Sequence, residues 1–279
     1  MEINKIYNED CLDTMLRMPD NFVDLVVTSP PYDNLRTYND YTFNFEKIAK
    51  ELFRVTKEGG VVVWVVGDAT VKGSETGTSF KQALYFKECG FNIHDTMIYH
   101  KGKIAFPETN RYSNVFEYMF VFSKGTPQVF NCIKDRKNKC FNGKKSIKGH
   151  YRNAEGEQIR HNKQNMLKEW GSRFNIWEIR NGHNKTTLDT CALGHPAMFP
   201  EQLANDHILS WGNKGSLVYD PFMGSGTTAK MSLLNERNYI GSEISSEYCE
   251  ICEERLKYSQ EQKQFEKGLE FLIPNKCDQ

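Results

Sequence analysis

Leu217-Val218-Tyr219-Asp220, followed by Pro221-Phe222-Met223-Gly224-Ser225-Gly226-Thr227-Thr228, decides how this chain is read. The first four residues have the texture of a buried strand, the next eight form a glycine-rich turn, and Ala229 to Asn235 begins a helix. Tyr239-Ile240-Gly241-Ser242 is the next strand, ending at Glu243. A βαβ unit of this kind has the mechanics of an adenosine site. Glycines let a ligand approach the backbone, and an acidic residue past the second strand can bind both ribose hydroxyls. A phosphate-binding P-loop needs a lysine before its hydroxyl residue, whereas Thr227 follows Gly226 directly. Gly-Ser-Gly-Thr-Thr also lacks the third glycine of the dinucleotide fingerprint. An adenosine ligand without phosphates fits the spacing best.

A second chemical stretch, Thr28-Ser29-Pro30-Pro31-Tyr32, follows the β-branched run Phe22 to Val27. Two consecutive prolines donate no backbone N–H and fix the backbone angles, so the strand stops there with carbonyls and the Ser29 hydroxyl aimed outward. The result is a rigid acceptor-only ledge, with Tyr32 beside it. It suits a flat group bearing N–H donors, such as the exocyclic amine of a nucleobase.

Composition bounds the function. The 279 residues, 39% of them hydrophobic, are enough for one sizeable core and an accessory lobe. The formal net charge is zero, yet residues 126–190 carry 14 Lys/Arg against 6 Asp/Glu. A segregated basic block in a neutral chain suits a polyanion. Eight cysteines and a start without an apolar signal region point to a reducing cytoplasm. No run reaches the roughly 18 apolar residues needed to span a bilayer, so the chain is expected to be soluble and off the membrane.

Around the two stretches, Ile6-Tyr7-Asn8 reads as a short strand, with Asp10 just past its end as either a site residue or a helix N-cap. Phe45, Ile48, Ala49, Leu52 and Val55 recur at helical spacing, with Gly59-Gly60 as the expected stop. Val61 to Val66 reads as a strand buried on both faces, as in a parallel sheet covered by helices. Gly67 to Ser79 reads as a loop, Phe80 to Cys89 as a helix, and Phe91 to Tyr99 and Val115 to Phe122 as strands. Between those strands, Lys101, Lys103 and Arg111 are interleaved with Phe106 and Tyr112, a texture that suits a nucleic-acid strand. Residues 126–190 are too poor in apolar side chains for a core of their own. Cys132, Cys140, His150 and His161 match no common zinc spacing, so no metal is expected.

The two stretches together resemble the DNA amino-methyltransferases that use S-adenosylmethionine and modify adenine N6 or cytosine N4. The order, ledge first, basic region next and glycine turn last, is similar to the β class. Gly194-His195-Pro196-Ala197-Met198-Phe199-Pro200-Glu201 is similar to the segment that precedes the cofactor loop in that family. The resemblance implies an α/β, Rossmann-like methyltransferase fold, circularly permuted. Residues 1–125 would be its catalytic half, 126–190 an inserted target-recognition region and 191–279 its cofactor-binding half. Glu243 would bind the cofactor ribose and Asp10 its adenine amine. Phe222, Gly224, Gly226, Thr227 and Thr228 would surround its methionine, with Asp220 and His195 counted in the same site.

An aromatic amine is a poor nucleophile, whereas a sulfonium methyl is already activated, so orientation matters more than an enzyme nucleophile. Ser29 and the Pro30 carbonyl would accept the two amine hydrogens, Pro31 would be scaffold, and Tyr32 would stack on a base flipped from duplex DNA. Serine at position 29 and the His-Pro-Ala-Met-Phe-Pro segment resemble N4-cytosine enzymes more than N6-adenine enzymes, so cytosine is favoured and adenine is the alternative. An RNA or protein methyltransferase is a nearer rival than a binding module without turnover, whose sign would be a broken ledge or turn. A homodimer and a cognate restriction endonuclease are partners that the resemblance leaves open.

Overall fold

A computed structural model describes residues 1–31, 43–102, 109–139, 141, 150–160, 168–182, 185–194, 198 and 200–272. Two compact units account for them, one formed by Met1–Asn131 with Asn175–Gln279, the other by Cys132–Phe174. The basic segment is thus divided, since residues 126–131 and 175–190 lie with the first unit.

The chain runs β1 (Lys5–Tyr7), α1 (Cys11–Arg17), β2 (Val23–Thr28), α2 (Phe45–Val55), β3 (Thr56–Val66), a hairpin of β4 (Thr70–Val71) and β5 (Ser74–Glu75), and α3 (Thr78–Glu88). Then come β6 (Asn92–His100), β7 (Phe116–Ser123), β8 (Arg136–Lys137), β9 (His150–Arg152), β10 (Gln158–Arg160), β11 (Trp170–Gly171) and β12 (Ile176–Glu178). A 3₁₀ turn (Thr190–Gly194), α4 (Glu201–Trp211), β13 (Leu217–Asp220), α5 (Thr227–Leu234), β14 (Asn238–Ser242) and α6 (Ser246–Leu272) complete it.

The first unit is built on an eight-stranded sheet in the order β1-β14-β13-β2-β3-β7-β6-β12. Every neighbouring pair is parallel except the two made by β7. β3 is buried along Val61 to Val66 as expected, but it has one parallel and one antiparallel neighbour. The parallel strands place Tyr7, Thr28, Val66, Asp220 and Ser242 at one carboxyl edge, where ligands of open α/β sheets bind. β1 pairs with β14, residue Tyr7 opposite Ser242, so the first strand and the last share one half of the sheet.

Helices cover both faces. On one, α1, α2 and α3 bury Met15, Ile48, Leu52 and Phe86 against Val26, Val62, Trp64 and Phe122. Phe86 stacks on Phe122 at 4.5 Å and meets Trp64 edge-on at 5.0 Å. On the other, α5 and α6 pack Ala229, Cys252 and Leu256 against Met223 and Tyr239. The second unit holds two short antiparallel pairs, β8 with β11 and β9 with β10.

Several expectations shift. α2 stops at Val55 with Thr56 as its C-cap, not at Gly59-Gly60. Those glycines lie inside β3, where the pairing with β2 is irregular; a Cβ on Gly60 would sit 3.0 Å from the Asp24 carbonyl, so glycine is needed for close backbone approach. The 67–79 stretch contains the β4–β5 hairpin, and α3 begins at Thr78. Trp177, read as part of the basic lobe, is buried on β12 and belongs to the main sheet.

Phe86→Ala removes the ring on which this aromatic layer closes. The expected cost is about 3–5 kcal/mol, read as a lower urea midpoint at unchanged denaturant slope.

Candidate active site

The glycine turn and the proline ledge are joined directly. β2 and β13 are parallel neighbours, and at their carboxyl ends the Thr28 hydroxyl donates to Asp220 Oδ1 at 2.6 Å. The Phe222 amide donates to the same oxygen at 3.0 Å. From the start of α5 the Thr228 hydroxyl donates to the Val27 carbonyl at 3.1 Å. At the other end of the pair, Asp24 accepts from the Leu217 amide at 2.8 Å. Two stretches 192 residues apart are thereby held in one register.

Asp220 is buried, and its Oδ2 has no hydrogen-bond partner among the described residues. Burial pushes its pKa up to about 6, although the Thr28 hydroxyl pulls the other way. Its Oδ1 is committed to the end of β2 and to the turn. Thr227 and Thr228 are likewise turned inward. The Thr227 hydroxyl accepts from Arg255 at 3.1 Å, and α5 begins at Thr227, two residues earlier than its sequence suggested.

Gly224 and Gly226 adopt φ of 53° and 83°, left-handed values that favour glycine. A Cβ on Gly226 would also stand 3.0 Å from Cys252 Sγ. Cys252 donates its thiol to the Gly224 carbonyl at 2.9 Å, so this cysteine packs the turn. Phe222 is half-buried and lies edge-on to Phe43 at 5.7 Å and to Trp64 at 6.1 Å.

Glu243 follows β14 and is 9% exposed. Its Oε2 accepts from the Gly224 amide at 2.8 Å and its Oε1 from the Ser245 amide at 2.9 Å. Burial raises its pKa, while those amides oppose the shift. Each carboxylate oxygen retains a second lone pair, so hydroxyl donors can still be accepted. Asn8 donates to the Glu243 and Ile244 carbonyls at 2.9 and 3.1 Å, tying the end of β1 to this corner. Asp10 is the N-cap of α1, its Oδ1 accepting from the Leu12 amide at 2.7 Å; N-cap and carboxyl-edge positions coincide in this residue.

The ledge begins directly after β2, with Ser29 and Pro31 half-buried and Pro30 buried. Tyr32 and His195 lie outside the described residues, as do Lys103, Phe106, Cys140 and His161. Of the other side chains noted between β6 and β7, Lys101 pairs with Glu117 at 2.6 Å. Arg111 donates to the Gly73 carbonyl at 2.6 Å and braces the β4–β5 hairpin, leaving Tyr112 fully exposed. The sequence reading missed Thr28 and Asp24 as contributors. Asp24 lies inside the run read as a strand and Thr28 in the ledge stretch just after it, but only the pairing of β2 with β13 gives them their roles.

The donor set fits an adenosine-type methyl donor. The Asp10 and Glu243 carboxylates stand at the carboxyl edge beside a turn lined by glycine backbone, and that turn has no lysine before Thr227. An open α/β sheet with this turn, and a proline ledge on the adjacent strand, defines a Rossmann-like methyltransferase. More particularly, the chain belongs to the N6/N4 DNA methylase family, whose model matches residues 23–254.

It is 70% identical over 235 residues to the orphan methyltransferase M.BamHII of Bacillus amyloliquefaciens, covering 84% of this chain and 89% of that one. It is 28% identical to the type II methyltransferase M.BglII of Bacillus subtilis, over 89% and 68% of the two chains. Among solved structures, the cytosine-N4-specific PvuII DNA methyltransferase superposes with a TM-score of 0.67 at 21% identity, covering 90% of this chain and 85% of that one. The M1.HpyAVI–SAM complex gives 0.60 at 22% identity, covering 90% and 98%.

Asp220→Asn keeps an acceptor for Thr28 and Phe222 but cannot ionise. A carboxyl whose folded pKa is about 6 against an ordinary 3.8 binds more protons folded than unfolded within that window, so wild-type stability falls as pH rises through it. The effect of this group is at most about 3 kcal/mol. Urea unfolding at a series of pH values is expected to show that slope in the wild type and a flatter one in Asp220→Asn; equal slopes would contradict the assignment.

Proposed function

We propose that this chain methylates cytosine N4 in duplex DNA, with Ser29 and the Pro30 carbonyl as the acceptors that orient the amine. The coarser class is established by its family: it is a DNA amino-methyltransferase acting on cytosine N4 or adenine N6. Its methyl donor is S-adenosylmethionine, which supplies an activated methyl on a sulfonium.

The observation that carries the proposal is the Thr28–Asp220 bond, which fixes the ledge against the turn. With the turn holding the donor, an amine hydrogen-bonded to the ledge has its lone pair directed at the same cleft. Ser29 and Pro30 withdraw electron density from neither reactant; they fix the direction of the two N–H bonds and leave the lone pair as the only open direction. Glu243 accepts from the ribose hydroxyls, Asp10 from the adenine amine of the donor, and Tyr32 stacks on the extruded base. Because the methyl is activated before it arrives, the chain needs no nucleophile of its own, and the amine proton is lost after transfer.

Serine at position 29, where many adenine enzymes carry aspartate or asparagine, supports cytosine, as does the segment from His195 to Pro200. The permuted order of the fold is supported by β1 lying beside β14. The basic residues of 126–190 support a role in duplex recognition. Among the described residues no helix is long and apolar enough to cross a membrane, and a DNA substrate makes the cytoplasm the working compartment. A homodimer and a cognate endonuclease are further expectations of the family resemblance.

Purified protein is incubated with S-adenosylmethionine and plasmid DNA, and the digested nucleosides are resolved by mass spectrometry. N4-methylcytosine is the expected product; N6-methyladenine would overturn the choice of base. Ser29→Ala is expected to lower kcat by about 10²-fold through lost orientation, with little change in the KM for S-adenosylmethionine.

A further inference from the structure

Four charged side chains meet behind the glycine turn. Arg255 of α6 is fully buried, Lys230 of α5 is 8% exposed, Asp189 is 9% exposed, and Glu201 at the start of α4 is 22% exposed. Lys230 Nζ donates to Asp189 Oδ2 at 2.7 Å and to Glu201 Oε1 at 2.8 Å. Arg255 Nε donates to the same Asp189 oxygen, and its Nη2 to Glu201 and to the Thr187 hydroxyl. Two cations therefore face two carboxylates, and the cluster is neutral. Burial works to raise the Asp189 pKa, yet the hydrogen bonds from Lys230 and Arg255 hold it below the ordinary value, so the carboxylate stays charged.

A buried ionic cluster adds little net stability over an apolar core of the same volume, and its best-attested use is to fix one arrangement. The arrangement fixed here is visible at the remaining Arg255 nitrogen. Nη1 donates to the Ser225 carbonyl at 2.8 Å, to the Thr227 hydroxyl at 3.1 Å and, at 3.4 Å, to the Ser225 hydroxyl. Lys230 presses on the same carboxylates, but its Nζ bonds go to them alone. The planar fork of arginine bonds in two directions at once, which the point charge of a lysine cannot do.

We propose that Arg255 is a positioning residue for the methyl donor. It locks the backbone of the Gly224–Thr227 turn against Thr187, Asp189 and Glu201 before the donor arrives. Glycines at positive φ leave a turn with much conformational freedom to lose, and ordering it in advance lowers the cost of binding. The effect belongs to donor affinity, not to the transfer step, because Arg255 touches the turn from behind.

The inference rests on the S-adenosylmethionine reading, and the test separates the two. Steady-state kinetics and calorimetric binding of S-adenosylmethionine are measured on the full chain and on Arg255→Lys, Lys230→Met and Thr187→Val, with thermal midpoints recorded for each. Arg255→Lys is expected to raise KM and Kd for S-adenosylmethionine about 10- to 100-fold, the range of one charge-assisted hydrogen bond. Its kcat at saturation and its KM for DNA stay near wild type. Thr187→Val keeps every charge and removes the hydroxyl that accepts from Arg255 and the Asp189 amide and donates to Glu201, so it loosens the anchor of Arg255 and shifts the same two constants in the same direction by less. Lys230→Met takes a cation from the same carboxylates without touching the turn, and is expected to lower the thermal midpoint while leaving donor affinity unchanged. Wild-type affinity in both Arg255→Lys and Thr187→Val, or an equal loss in Arg255→Lys and Lys230→Met, would overturn the positioning role. A wild-type chain that neither binds S-adenosylmethionine nor methylates DNA would instead overturn the reading beneath it.

Discussion

One hydrogen bond, from the Thr28 hydroxyl to the Asp220 carboxylate, sets the geometry of this enzyme. It joins the last residues of two parallel strands at the place where the sheet changes direction: β13 leads through α5 to β14 on one side, and β2 leads through α2 to β3 on the other. Loops leaving such neighbouring strands diverge and open a crevice. Without a tie, each loop would be free to choose its own exit. With it, the ledge and the turn leave from strand ends held side by side. The cost is a buried carboxylate, one oxygen of which has no partner among the described residues, and that burial raises its proton affinity.

The turn is gripped from both faces of the sheet by different forces. Toward α1, α2 and α3, Phe222 enters an aromatic layer of Phe43, Phe45 and Trp64. Toward α4 and α6, Thr227 and the Ser225 carbonyl receive the Arg255 guanidinium. Apolar packing gives area and little direction; charged hydrogen bonds give direction and little net stability. Used on opposite sides of one glycine-rich segment, they fix its position and its orientation separately.

Much of this was legible in the sequence. β13 matches its expected residues, Glu243 follows β14 directly, and the Val61 to Val66 run is as buried as its composition implied. Local pattern sufficed there because strand burial and glycine conformation are decided within a few residues. Three things were not local. The glycines at 59 and 60 looked like a helix stop, but Gly60 serves a close approach to the Asp24 carbonyl of β2 and Gly59 lies against the Gln128 side chain, contacts that depend on pairing and packing. Trp177 sits in a basic, polar segment and is buried only because β12 adds to β6. Arg255 looks like an ordinary charge on an acidic helix, and its partners lie 28 to 68 residues away with no periodicity to mark them. Asp220, Thr227 and Thr228 show the same limit from the other direction: the motif marked the turn, but not which of its side chains are turned inward to bond with β2 and α6.

The arrangement also separates what must stay fixed from what can vary. The described residues of the candidate site come from the carboxyl ends of β1, β2, β13 and β14, the loops that follow them and the first turn of α5, in one half of the sheet. The second compact unit, Cys132–Phe174, leaves and rejoins the first at Asn131 and Asn175. Both points are pinned by backbone bonds: the Asn131 amide donates to the Ser210 carbonyl at 2.8 Å, and the Asn175 carbonyl accepts from the Ile98 amide at 2.8 Å. The hydrogen bonds given above for Thr28, Asp220 and Arg255 run between residues of the first unit. Those contacts are long-range in sequence, so the turn is held by the fold of the first unit and not by its own local pattern.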